Sequence, residues 1–293
     1  MVKKVLSKVY IALMLLILYA PILVLMIFSF TDSDALGIWK GFTFELYANV
    51  FKHQAVMEAL KNTIFVAGTS AVLSTILGTM GAIGIFYSRA RSKKVMNFLS
   101  QIPVMNAEIV MALSLTLLFT ILGIKSSFFT LIVGHVVLTA PFVVLSVTPK
   151  LKQMDANIYE AALDLGATPT KAMFKVMLPE IIPGIITGFL LSITLSLDDY
   201  IITAFLRNKN FNTISTYVQG ITAKGPLPAV LRALTTLIVI VMFAILLVIN
   251  FNASRKKRLE AKRWVKQKNL HLLSLLVCFL FLHLHVKRKM MEF

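Results

Sequence analysis

The chain has 293 residues, of which 58% are hydrophobic and 15% charged, and its formal net charge is +17. A soluble domain of this length would have too little polar surface, so composition excludes a water-soluble enzyme and points to an all-α polytopic membrane protein. The basic balance does not mark a nucleic-acid partner, because the charges cluster beside apolar runs rather than across one soluble face.

A helix needs about 20 apolar residues to cross the hydrocarbon core. Six runs meet that length: Val9–Phe30, Thr63–Tyr87, Ile102–Leu122, Phe128–Thr148, Ile181–Phe205 and Ala229–Phe251. The first follows Lys3, Lys4 and Lys8 as a signal peptide would. It is too long for a signal core and lacks a small-x-small cleavage site, so an uncleaved first helix is expected. Between the first two spans, Trp39, Phe42, Phe44 and Tyr47 fit an aromatic belt at the bilayer surface or cation–π contact with an alkyl amine. His135, alone in an apolar span, reads as a satisfied interior residue.

Orientation follows from the basic residues. With the N-terminus inside, the inner segments hold 19 Lys and Arg and the outer segments 8. The asymmetry puts both ends of the six-span unit in the cytoplasm. The polar stretch "EAALDLGATPTKAMFKVMLP" (160–179) is then cytoplasmic. Asp155 or Asn157 is placed to cap a short helix ending at Leu165. Ile158, Ala161, Ala162 and Leu165 share one apolar face at i, i+3, i+4 and i+7. Gly166 is placed to close that helix in a left-handed conformation. Thr168 and Pro169 suit the cap and first position of a second helix, running to Leu178 before Pro179. Such a short helix needs a partner. On spacing alone, a docking face for a cytoplasmic protein and a helix lying on the membrane surface fit equally.

Charged residues inside spans are costly, so each is a candidate site. Three acids qualify: Glu108, Asp198 and Asp199. No Lys or Arg lies in the middle of any span, and an acidic, cation-poor interior suits a cationic cargo such as a polyamine. The alternative is that the acids bond neighbouring helices or sit at the interface. At 3.6 residues per turn, Gly184, Gly188, Ser192 and Ser196 form a small-residue stripe that allows close packing. Asp199 continues that stripe, whereas Asp198 continues a neighbouring polar line through Thr187 and Thr194. Asp198 is therefore the expected cation contact, with Asp199 in support.

The tail (255–293) is basic over 255–268 and apolar over 270–286, "LHLLSLLVCFLFLHLHV". The basic part suits anionic lipid, and the apolar part is expected to be an interfacial segment. Its single Cys278 has no internal disulfide partner, and His283 with His285 does not close a metal site. Residues 1–254 are expected to form one transmembrane domain.

Glu160-Ala161-Ala162, Gly166 six residues after the glutamate, and Leu178-Pro179 resemble the "EAA" loop of bacterial ABC importer permeases. "YAPILVLMIFSF" (19–30) and "NTIFVAGTSAVLSTILGTMGAI" (62–83) look like that family's first two spans. "EIVMALSL" (108–115) and "SLDDYIITAF" (196–205) resemble the spermidine/putrescine type, the C subunit of the polyamine importer. The likeness covers about residues 10–255 and departs from the pattern at Ala107, where relatives usually have a proline. It implies a six-span type I importer fold. It also implies that residues 150–180 form a coupling loop carrying Glu160, Ala161, Ala162, Gly166, Leu178 and Pro179. The implied partners are a cytoplasmic ATPase dimer, a second permease and an extracellular or periplasmic substrate-binding protein, in a bacterial inner membrane. No G-x-x-x-x-G-K-[ST] loop occurs, so ATP hydrolysis is expected in another subunit, with no cofactor here. Other readings are a permease for ferric iron, thiamine or an organic amine, or a stand-alone cation carrier or channel. A carrier is disfavoured because no inverted repeat is visible. A membrane enzyme is disfavoured because no nucleophile constellation is.

Overall fold

The computed structural model describes residues 2–31, 33, 38–223, 229–240 and 243. The expectations for the tail, including Cys278, His283 and His285, lie outside the described residues, as does the end of the Ala229–Phe251 span. Two compact units are distinguished, Met1–Ile27 with Ala233–Phe293, and Phe28–Arg232. The described elements are helical. The first unit contributes most of α1 (Val2–Phe28), and the second includes the short α2 (Glu45–Lys52).

The second unit is organised by three long helices: α3 (Gln54–Tyr87), α6 (Phe128–Gln153) and the continuous rod Pro169–Asp198. Among the described residues, four helices are long and apolar enough to span a membrane, or five if one bent pair counts as a span. In lipid, apolar burial alone gives helices little reason to associate, so close fit and interhelical hydrogen bonds decide packing. Val143 of α6 supplies the fit. It lies against Gly78 of α3 and Gly188 of the rod, where an added Cβ would come 2.6 Å from Val143 Cβ and 3.0 Å from Val143 Cα. The stripe Gly184, Gly188, Ser192 and Ser196 is buried, as its helical spacing predicts. α6 starts with a capping box in which Ser127 Oγ accepts from Thr130 N.

Three expectations are corrected. The span Ile102–Leu122 is not one helix. It divides into α4 (Ala90–Met105) and α5 (Glu108–Ile121), bent by 105°. Asn106 and Ala107 are extended there, so the bend exists without the proline. The span Ile181–Phe205 is likewise divided, into α9 (Leu178–Asp198) and α10 (Ile201–Leu206), with Asp199 extended between them. Finally, no break separates the polar loop from the span at Pro179. Helix α8 (Pro169–Ala172) passes through a π-helical turn, Met173–Met177, into α9. A proline inside a helix removes a donor and its ring crowds the carbonyl four residues back. The wider π turn, closed by Leu178 N–H donating to Met173 O, lies where that carbonyl would be crowded.

Candidate functional site

Two regions hold the sequence-predicted residues. At the loop, α7 (Ala156–Asp164) is capped by Asp155, whose Oδ1 accepts from Asn157 N at 3.0 Å. Gly166 has φ +83° and closes the helix in a paired turn, with Gly166 N–H donating to Leu163 O (2.9 Å) and Ala167 N–H to Ala162 O (3.0 Å). Thr168 then caps α8 by accepting from Lys171 N, and Pro169 takes its first turn.

Among the described residues, helix α7 is anchored to the helix bundle through Tyr159. Tyr159 packs on a cluster formed by Ala82 and Ile85 of α3, Val143, Val144, Val147 and Leu151 of α6, and Met177 and Ile181 of the rod. Its ring lies 5.8 Å from that of Tyr87, whose hydroxyl reaches Met177 Sδ at 3.6 Å. Ile158, Glu160, Ala161 and Leu165 are exposed. Leu165, at the end of the helix, is 89% exposed. Ala162 and Leu178 are half-buried, and Pro179 is exposed.

The second region lies where the two divided spans meet. Helices α5 and α10 pack through Met111, Ala112, Phe119, Ile202 and Leu206, with Leu138 of α6. This brings the two breaks together, and the charged neighbours of Glu108 are Asp199 and Asp198. Glu108 is in the first turn of α5, where a negative charge is favoured by the helix dipole. Asp198 is exposed and Asp199 is 5% exposed. Asp199 closes the start of α10. Its Oδ1 accepts from Ile202 N (3.1 Å), and its Oδ2 from Thr203 N and Thr203 Oγ1 (both 2.8 Å). Thr187 and Thr194 are exposed and spend their hydroxyls on the carbonyls of Pro183 and Leu190.

Sequence reasoning placed His135 correctly inside but missed its company. Ser196 Oγ lies 2.8 Å from Nδ1, Thr203 Oγ1 lies 3.0 Å from Nε2, and Asp199 Oδ2 lies 3.6 Å from Nε2. Only the serine shares a visible stripe; the other partners depend on the α9–α10 break. The aromatic residues of the first loop contact one another: Phe42 stacks on Phe30 at 5.3 Å and meets Phe44 edge-on at 5.0 Å, while the Tyr47 hydroxyl (Oη) lies 2.6 Å from Ser29 Oγ. Arg232, in the helix Ala229–Ile240, is 1% exposed and donates to the Ser33 carbonyl.

A bundle of apolar helices, a polar loop anchored on one side and acids at two helix breaks define a polytopic membrane transport component. The chain belongs to the family described as binding-protein-dependent transport system inner membrane component, whose model matches residues 1–258. It is 32% identical over 224 residues to the spermidine/putrescine transport system permease protein PotC of Escherichia coli (strain K12), covering 76% of this chain and 84% of that one. It is 34% identical over 228 residues to the putrescine transport system permease protein PotI of the same strain, covering 75% and 81%. Its fold resembles a bacterial ABC transporter involved in import of the acidic polysaccharide alginate (TM-score 0.66, 19% identity, 87% of this chain and 96% of that one). The chain is thus a non-catalytic permease component with the fold of ABC importer permeases. ATP hydrolysis belongs to a separate subunit.

Proposed function

We propose that this permease carries spermidine or putrescine from an external binding protein to the cytoplasm of a bacterium by alternating access. The observation that carries the cargo reading is that Glu108, at the start of α5, has the acids of the α9–α10 break, Asp198 and Asp199, as its charged neighbours. A polyamine is an extended chain with an ammonium group at each end. Moving it past a low-dielectric bundle requires anionic groups on its path. Asp198 is the cation contact, because it is the exposed acid on the polar line with Thr187 and Thr194. Glu108 stands beside it, and Asp199 supports from behind. The permease relatives are named for spermidine and putrescine, which agrees with this chemistry.

Energy enters through the loop at 150–180. Glu160, Ala161, Ala162, Gly166, Leu178 and Pro179 form the port for one subunit of a cytoplasmic ATPase dimer, and a second permease serves the other. The exposed side of α7 supports this reading, since Leu165 is left open while Tyr159 anchors the opposite side. The bias of basic residues supports a cytoplasmic N-terminus in the inner membrane. The end of the family match at residue 258 supports a permease domain of about 1–254 with a separate tail (255–293). The test is uptake of labelled putrescine and spermidine by the assembled importer in vesicles. Saturable, ATP-dependent uptake is expected. Transport of ferric iron, thiamine or another amine instead would overturn the cargo assignment.

A further inference from the structure

We infer that His135 is a positioning residue for the cargo path, acting through a hydrogen-bond chain of fixed direction that holds the α9–α10 break; its transport role rests on the polyamine reading above. The direction follows from counting protons. An ionised carboxylate only accepts, so the single hydroxyl proton of Thr203 goes to Asp199 Oδ2 at 2.8 Å. Thr203 Oγ1 can then only accept from His135 Nε2 at 3.0 Å, which must carry the ring proton. In a neutral imidazole the other nitrogen is an acceptor. Nδ1 therefore takes the proton of Ser196 Oγ at 2.8 Å. Ser196 Oγ in turn accepts from Ser70 Oγ at 3.0 Å, a proton Ser70 shares with the Val66 carbonyl at 2.7 Å.

The chain joins α3, α9, α6 and α10 in one line that ends on Asp199. Thr139 Oγ1 donates to the His135 carbonyl (2.7 Å), and Ser74 lies 2.6 Å from Thr139 Oγ1, so the helix around the histidine is tied to α3 as well. His135, Thr139, Ser70, Ser74 and Thr203 are all fully buried. Here both ring nitrogens are used, and their order is dictated by the carboxylate at the end. Asp199 is the hinge residue between α9 and α10, and Asp198 immediately precedes it. Fixing Asp199 therefore fixes where Asp198 presents its charge.

Two measurements test this on the assembled importer. In the first, only this chain carries ¹⁵N-histidine, and among its five histidines the His135 signals are those lost in His135→Gln. Nitrogen shifts should report a proton on Nε2 and a bare, hydrogen-bonded Nδ1, and Thr203→Val should disturb that assignment. A wild-type ring protonated on Nδ1, or on both nitrogens, overturns the chain. The second measurement is putrescine uptake against concentration. Glutamine places an N–H near Nε2 and should keep the apparent KM close to wild type. His135→Asn loses the reach to Thr203 and should raise KM about tenfold with the maximal rate retained. Equal loss of assembly and rate in both variants would mean that the histidine only packs, overturning the positioning role. If the wild-type importer moves no polyamine, the cargo reading fails, while the ring signals still decide the chain.

Discussion

The ring of Tyr159 on α7 lies 5.8 Å from the ring of Tyr87, the last residue of α3. This contact, with the cluster beneath it, joins the polar loop to the three-helix bundle, and it is the side of α7 that the apolar spacing of the sequence did not single out. A push on the exposed side would reach α3 through Tyr87, α6 through Leu151 and the rod through Met177. Rocking of such packed helices is an established route to gating. Tyr159→Ala should therefore lower the cargo moved per ATP hydrolysed several-fold without preventing membrane insertion. Tyr159→Phe should retain coupling, since the ring contact remains. Reconstituted vesicles give both quantities, and unchanged coupling in Tyr159→Ala would remove the tyrosine pair from the route.

Gly166 and Glu160 test the port itself. A Cβ at Gly166 would meet nothing within 4 Å, so the cost of substitution is in the backbone at φ +83°. For a β-branched residue in the left-handed region that cost is roughly 1–2 kcal/mol. We predict that Gly166→Val, and Glu160→Lys by reversing an exposed charge, insert normally but lose most uptake and cargo-stimulated hydrolysis. Normal values in both variants would contradict a coupling role.

Packing around Val143 gives a stability prediction. Alanine at Gly78 would bring its Cβ within 2.9 Å of the Ala140 carbonyl as well as against Val143. Backbone cannot yield as a side chain can, so Gly78→Ala should cost about 1–3 kcal/mol, the usual cost of overpacking. Thermal unfolding of the purified complex should show a lower midpoint. Gly81→Ala is the control, because its nearest foreign atom would be 3.7 Å away.

Ala107 has φ −64° and ψ 138°, and Asn106 before it is extended at φ −82° and ψ 146°. Both conformations suit proline and its preceding residue. Ala107→Pro should therefore preserve uptake and leave stability unchanged or raised by roughly 0.4–1 kcal/mol. A drop in the unfolding midpoint would mean that the bend before Glu108 is built differently.

Several of these features were legible from spacing. The stripe Gly184–Gly188–Ser192–Ser196 is periodic, so its burial follows from helix geometry. Gly166 and Thr168 stand where helix ends need them, and the local chain alone decides their conformation. The breaks at 106–107 and 199–200 were not fixed by hydropathy, because the runs on either side are apolar overall and a long apolar window passes over a two-residue kink. The reverse error occurred at Pro179, where a proline read as a boundary is accommodated by a π turn. The chain through His135 was also hidden, since it joins residues from four helices and only the tertiary arrangement brings them together.

The central claim is that a cation passes the acids at the paired breaks, and the most direct measurement is the initial uptake rate of labelled putrescine by carboxylate variants at matched assembly, with binding-protein affinity checked separately. Asp198→Asn keeps size and most hydrogen bonding while removing the charge, and a carboxylate–ammonium contact contributes about 1.5–3 kcal/mol. The initial rate should fall by about tenfold or more at sub-saturating cargo, and Asp198→Glu should restore part of it. Glu108→Gln should fall less, and Asp199→Asn should act mainly through apparent KM, because its carboxylate is engaged by α10 and Thr203. Wild-type uptake in Asp198→Asn with a dead Asp199→Asn would put the wrong face of the helix on the path. Wild-type uptake in all three neutral variants would contradict the account.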